Sequence, residues 1–469
     1  MIASMEVVIM TKTQNLTKGN TTHIILRFFF PMLLTNLLQQ IYSFADTAIV
    51  GKGIGDNALA AVGNMSSLTF LILGFSLGMA NGFSVVISQY YGAGDHSAMR
   101  KAVGNAVGLS LWIAVILTVF STVFLQPIML LMKTPEVILK ESLTYGYIMF
   151  GGLAVTVAYN LCSGILRSIG DSKTPFYAIL ISAMTNIILD CVLIIGCRTG
   201  VAGAAAATVF SQGISALICF VRIRNIDVLR LSCRDMLIDK MIFGELLKNG
   251  LPMACMNSIT AVGCIAVQFF VNRLGVAYTS AYSACSKYLN LFLMPGMTIG
   301  WAMSGFASQN HGAGKIERIR EGLHVCLRIG VIAYLLLGAV MVLFPRFLAR
   351  LTLSGEEPIR FVVQFLPVCG VMLIAVNFLF VYRSCVQGMG QPLVPMLSGI
   401  LEMFLRMMTI VILMPEIGFL STAFAEVLAW SGAFIVNRIA YGSVMQKAGG
   451  RNALYHAEMR QEKQTIVQH

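Results

Sequence analysis

Apolar residues in this chain come in long unbroken runs separated by short polar stretches. Twelve such runs can be drawn, at about 27–50, 60–87, 102–125, 143–166, 175–197, 200–221, 243–271, 278–306, 322–345, 361–386, 394–414 and 418–442. Each reaches the ~20 residues that a helix needs to cross a hydrocarbon core. Strands of a membrane barrel would instead alternate in hydrophobicity over about ten residues, and these runs do not alternate. The pattern therefore predicts an all-α polytopic membrane protein with twelve transmembrane helices. The first run is too long for the apolar segment of a cleaved signal. It is expected to remain as the first span.

Composition narrows the function classes. The chain has 469 residues, 57% of them apolar and 12% charged, with a mean hydropathy of +0.79. A soluble domain carries about a quarter charged residues, so a soluble enzyme is not expected. Disorder is excluded too, because it needs low hydrophobicity and high charge. The 11 cysteines are odd in number, and most lie inside apolar runs, as Cys162, Cys191, Cys219, Cys264 and Cys369 do. There they behave as small hydrophobes rather than as a disulfide framework.

The net charge of +12 has a location. The N-terminal tail, the even-numbered loops and the C-terminal tail hold 21 basic residues: Lys12, Lys18, Arg27, Arg100, Lys101, Arg167, Lys173, Arg222, Arg224, Arg230, Arg234, Lys240, Lys248, Lys315, Arg318, Arg320, Arg438, Lys447, Arg451, Arg460 and Lys463. The opposite side holds 8: Lys52, Lys133, Lys140, Arg198, Arg273, Arg346, Arg350 and Arg360. The positive-inside rule then puts both termini in the cytoplasm of a multi-pass protein of the cell membrane. The basic excess marks topology and attraction to anionic lipid. No basic stripe interleaved with aromatics points to nucleic acid.

The two halves match each other. "SQYYGAG" at 88–94 returns as "SQNHGAG" at 308–314, and "PMLLTN" at 31–36 returns as "PMACMN" at 252–257. Weaker matches align "GDSKTP" at 170–175 with "GQPLVP" at 390–395, and "GVAGAAAATV" at 200–209 with "GFLSTAFAEV" at 418–427. Six spans per repeat is an even number, so both copies share one orientation. Parallel six-plus-six repeats recur in secondary transporters, with the substrate site between the halves. The expected organisation is an N-terminal six-helix lobe over 1–224, a polar linker over 225–242, and a C-terminal lobe with a cytoplasmic tail over 243–469.

Polar groups inside the spans carry the candidate chemistry, because ionisable side chains are costly in hydrocarbon. The first span carries Asn36, Gln39, Gln40, Tyr42, Ser43, Asp46 and Thr47. Of these, 36, 39, 43, 46 and 47 fall on one helical face. The fifth span carries Asn186 and Asp190 one turn apart, and the sixth carries Thr208 and Ser211. Two carboxylates, an amide and a hydroxyl suit Na⁺, and two nearby carboxylates can alternatively share one proton. The second half lacks this set: Val267 and Ile410 stand where Asp46 and Asp190 stand in the first. Its polar stripe survives as Asn257, Thr260, Cys264 and Gln268, and its carboxylates are Glu402 and Glu426. Glu402 and Arg406, four apart, are placed to neutralise each other. Lys287 in the eighth span fits either snorkelling to an interface or a cavity.

Other chemistries find no support. The glycines at 92–94 and 312–314 precede no Walker Lys–Ser/Thr pair. The histidines, His23, His96, His311, His324, His456 and His469, form no metal spacing, and no G-x-S-x-G or H-E-x-x-H occurs. An enzyme is not expected, nor a cofactor beyond a coupling Na⁺ or H⁺.

The pattern resembles the multidrug and toxic compound extrusion (MATE) family of cation-coupled exporters, in the superfamily that also holds lipid-linked oligosaccharide flippases. "QQIYSFADTAIVGKGIGDNALAAVG" at 39–63 looks like the family's first helix and following loop. The duplicated Q-x-x-GAG loops and the set Asp46, Asn186, Asp190 and Thr208 carry the rest. The likeness runs from about Thr22 to Tyr441. It implies that Asp46 and Asp190 carry the coupling cation, with Asn186 and Thr208 as ligands or partners and Tyr42 in the same network. If sodium is the ion, Asp46 and Asp190 are its metal ligands. It also implies a substrate cavity, for which Asn36, Gln39, Asn257, Gln268 and Lys287 are the candidate lining. Some members use acidic residues on helices 7 and 10; this chain has Gln268, Gln364 and Arg383 there, which favours the first lobe. The implied activity is export of amphipathic, cationic small molecules by alternating access, by a monomer in the bilayer. The alternative is a flippase for a lipid-linked saccharide, which would need a more cationic cavity.

Overall fold

The computed structural model describes residues 14–132, 134–353 and 355–467. Lys12, Lys133 and His469 lie outside the described residues, as do the side chains of Arg451, His456, Arg460 and Lys463. Every described secondary-structure element is helical. The first half contains α1 (Thr21–Gly53), α2 (Asp56–Ala93), α3 (His96–Leu131), α4 (Glu136–Gly151), α5 (Leu153–Ser168), α6 (Lys173–Asp190) and α7 (Val201–Arg224). A π-helical turn, Cys191–Gly196, follows α6. The second half contains α8 (Lys240–Asn272), α9 (Val276–Gly312), α10 (Ile316–Leu343), the short α11 (Pro345–Thr352), α12 (Glu356–Gly388), α13 (Leu393–Ile417) and α14 (Leu420–Val467).

Each of the twelve expected spans meets a helix, the fourth being the α4–α5 pair. Ten of the described helices are long and apolar enough to cross a membrane by themselves, and the bent pair brings the number to eleven. The twelfth, α9, carries Ser, Thr and Asn residues and Lys287 along its length, which dilutes its hydropathy. Trp112, Val119, Phe120 and Val123 of α3 are all more than half exposed. A soluble protein would not leave such a face open; a lipid-facing helix needs it. This is a multi-pass membrane protein.

The internal repeat reappears in the backbone. Left-handed glycines close the same corners of both halves: Gly55 and Gly275, Gly94 and Gly314, Gly170 and Gly390, Gly200 and Gly418. The first three pairs stand 220 residues apart and the last 218. A side chain pays a steric cost at such φ values, so each helix stops where its repeat partner stops. One difference stands out. The span broken at Gly152 in the first half, by 45°, is the continuous α12 in the second. Met372 stands at the position 220 residues after Gly152. Adjacent Gly151 and Gly152 supply the weak point that helices need to kink.

Two compact units form. The first contains Leu26–Tyr91 and Asp95–Ala266, and the second contains Leu16–Ile25 and Val267–His469. The first is organised around α7, whose Gly203, Ala204, Ala205 and Ala207 are buried; small residues let neighbouring helices approach closely. The second is organised around α12, with Phe365, Leu366, Cys369 and Leu373 fully buried. The segment between α7 and α8 is ordered rather than loose. It forms the turns Asp227–Leu229 and Cys233–Met236 and lies against α3, where Asn105 bonds both the Leu237 carbonyl (3.2 Å) and the Asp239 N–H (3.2 Å). Gly104 permits this: a Cβ there would sit 2.1 Å from the Asp235 carbonyl oxygen.

Candidate cation-coupling site

Asp46 lies two turns before the end of α1, and Asp190 is the last residue of α6. Within the first unit their carboxyl groups come together and interact side chain to side chain. Asp190 is 0% exposed. Its two oxygens and Oδ1 of Asp46 are buried with no hydrogen-bond partner. Asn186, one turn earlier on α6 and 2% exposed, has both amide atoms in the same condition. Among the described residues no ion pair reaches either carboxylate. Burying such groups unpaired is strongly unfavourable. The donor set suits a proton shared between the carboxyls or a hard cation among the oxygens.

Local structure aims these groups. Asn186 and Asp190 share a face by their i,i+4 spacing. Asp190 directly precedes the π-helical turn without capping it by its side chain; such turns are rare and recur at functional sites. Tyr42, half-buried one turn before Asp46 on α1, interacts electrostatically with Asp46. Thr208 on α7 donates its hydroxyl hydrogen to the Ala204 carbonyl at 3.0 Å, which leaves its oxygen able only to accept or ligate. Tyr145 of α4, buried in one cluster with Val50 of α1 and Ile194 of the π-helical turn, is a neighbour that sequence reasoning did not single out. Nothing in the run marked it, since Tyr147 and Tyr159 lie in the same span.

The candidate cavity residues divide between the two units, Asn36, Gln39 and Asn257 in the first and Gln268 and Lys287 in the second. Asn36 and Gln39 are half-buried on α1. Asn257 of α8 donates to the Gly74 carbonyl of α2 at 3.0 Å, so it clamps two helices within the first unit. Gln268 bonds Asn272 on its own helix at 2.6 Å. Lys287 is exposed and forms no ion pair among the described residues.

The second unit buries its charge differently. Arg383 of α12 bonds Glu402 of α13 and reaches Ser398 at 3.3 Å. Arg406 pairs with Glu426 of α14 at 2.9 Å and only at 3.7 Å with Glu402. Asn437 holds Ser398 from α14 at 2.8 Å. The expected Glu402–Arg406 pair is thus the weakest link of a neutral four-charge network across three helices. No group of three or more His, Cys, Asp or Glu side chains with metal-binding geometry occurs among the described residues.

A multi-pass bundle of two repeated six-helix halves, with unneutralised carboxylates inside one of them, is a secondary-transporter architecture. The chain belongs to the MatE family, whose model matches residues 31–192 and 252–412. It is 31% identical over 357 residues to a probable multidrug resistance protein, YoeA of Bacillus subtilis, covering 74% of this chain and 76% of that one. It is 22% identical over 392 residues to an FAD transporter of Shewanella oneidensis, covering 82% and 86%. The fold matches a crystal structure of MATE in the bent conformation, with a TM-score of 0.89 and 21% identity over 94% of this chain and 99% of that one.

Proposed function

We propose that this chain is a cation-coupled antiporter that exports amphipathic, cationic organic molecules by alternating access. The observation that carries the reading is the Asp46–Asp190 carboxyl pair, Asp190 fully buried, with Asn186 beside it and no cationic side chain to neutralise it among the described residues. Such a site gains a proton or Na⁺ strongly in one conformation and less so in another. A cation shifts the conformational equilibrium only by that difference in affinity. Coupling is reciprocal, so substrate weakens cation binding by the same factor by which the cation weakens substrate binding. The relatives named for multidrug resistance support the cargo class. The carboxylates inside the first lobe, Asp46 and Asp190, favour cations, while the buried arginines of the second unit are each matched to a glutamate rather than left open for a diphosphate. The protein acts as a monomer in the cell membrane with both termini in the cytoplasm, and it needs no cofactor beyond the coupling ion.

The test is export of a fluorescent organic cation from proteoliposomes under an imposed Na⁺ gradient or an imposed H⁺ gradient. One gradient is expected to drive export in the native protein and to fail with Asp46→Asn and with Asp190→Asn. Undiminished gradient-driven export by both variants would overturn the assignment.

A further inference from the structure

A second site is visible where α1 ends. A cavity of about 680 Å³ opens between the last turn of α1 and the π-helical turn. Its floor is apolar, built from Ile49, Ile54 and Ile194, and its rim carries Lys52 and Arg198. The floor is tightly assembled: a Cβ on Gly53 would meet Ile194 Cγ2 at 2.9 Å. Both basic side chains are exposed. Neither forms an ion pair or a hydrogen bond with any described residue, and no acidic side chain among the described residues lines the cavity. Arg198 is the one described non-glycine residue with positive φ, at 54°, a conformation that side-chain-bearing residues use sparingly.

Three of the other basic residues on the same side of the chain are engaged elsewhere. Arg346 and Arg350 are matched to Glu356 at 3.2 Å each, and Arg273 lies over the Phe269 ring. Lys52 and Arg198 also run against the positive-inside rule, which leaves that side poor in basic residues. Two unmatched cations converging over an apolar floor, at a helix end, fit an anion that carries its own apolar tail. Helix ends lie at the level of lipid headgroups, where lysine and arginine meet phosphate.

We propose that this cavity binds an anionic phospholipid, its phosphate held by Lys52 and Arg198 and its chain laid along Ile49, Ile54 and Ile194. The site is distinct from the carboxylate pair, since Lys52 lies about 9 Å beyond Asp46 along α1 at the helical rise per residue. It stands whether or not that pair couples transport.

The experiment titrates delipidated full-length protein in detergent with phosphatidylglycerol, phosphatidylcholine or inorganic phosphate. Native mass spectrometry reads the bound adducts. Phosphatidylglycerol is expected to bind more tightly than phosphatidylcholine. K52Q and R198Q should each weaken it about fivefold, and the double variant about 25-fold, with phosphatidylcholine binding unchanged. K52R, which keeps the charge, should keep the affinity. Equal binding of the two lipids by the native protein, or unchanged phosphatidylglycerol affinity in the double variant, would sink the proposal. Displacement of phosphatidylglycerol by millimolar inorganic phosphate would also overturn it, since the site would then take a free anion. The melting temperature of the lipid-free double variant should equal that of the native protein, because both side chains are exposed.

Discussion

Asp46 of α1 and Asp190 of α6 place their carboxyl groups against each other, and no described residue forms an ion pair with either. In the proposed mechanism positive charge joins this pair, since two like charges held together out of water repel. Replacing either by asparagine keeps the shape and removes the charge. The expected loss of the cation's effect on transport is about 10–100-fold, the usual size of a coupling free energy. Gradient-driven efflux of a dye from proteoliposomes measures it. Asn186→Leu should weaken the same response less, by about tenfold, as expected for one lost polar ligand.

The network of the second unit makes the opposite prediction, about stability rather than coupling. Glu402→Gln leaves Arg383 buried without its counter-charge. Removing one partner of a buried pair costs about 3–5 kcal/mol, whereas replacing both by apolar residues of similar volume costs far less. Thermal melts in detergent should therefore place Glu402→Gln well below the double variant Arg383→Met/Glu402→Met. The reverse order would show that the ion pair is not what holds α12 to α13.

Gly152 makes a prediction about the kink. A Cβ there would approach Val209 Cγ1 of α7 at 2.4 Å. Gly152→Ala should destabilise by about 1–3 kcal/mol, the usual cost of overpacking. A melting temperature equal to that of the native protein would show that α5 and α7 have room to part.

The linker makes a prediction about pH. Asp235 accepts from the Ser232 N–H and hydroxyl, both at 2.8 Å, with Arg100 at 3.9 Å. The Ser232 backbone bond, more than the nearby cations, holds its carboxyl below the usual aspartate range. A depressed carboxyl contributes stability that is present above its unfolded value, about 3.9, and is lost as pH falls through the folded one. Protease cleavage within 225–242 should thus be slow at neutral pH and rise in strongly acid solution. Gly104→Ala, which pushes the Asp235 carbonyl off α3, should make cleavage fast even at neutral pH.

The sequence disclosed what repeats and what is costly. Long apolar runs predicted the twelve spans, and the carboxylates of the first and fifth, with no basic residue one turn away as Glu402 has in Arg406, drew attention to Asp46 and Asp190. Partners chosen across helices were hidden. Spacing along one helix pairs Arg406 with Glu402, yet the closer contact is Glu426, on a different helix. Arg383 found its carboxylate through packing of α12 on α13, which no local rule encodes. Tyr145 reached the site because α4 packs in the first unit near α1 and α6. The bend at Gly152 had a visible cause in paired glycines, but its consequence depended on Val209 from another span. The π-helical turn after Asp190 had no local signature in an ordinary apolar stretch.

The four pairs of left-handed glycines bear on ancestry. The interiors of the halves now differ, Asp46 and Asp190 standing against Val267 and Ile410 and an arginine–glutamate lattice filling only the second, yet these four corners correspond within two residues. Drift in cargo or driving ion could thus proceed by side-chain replacement along unbroken helices, while a change at a corner would have misdirected the whole span that follows it.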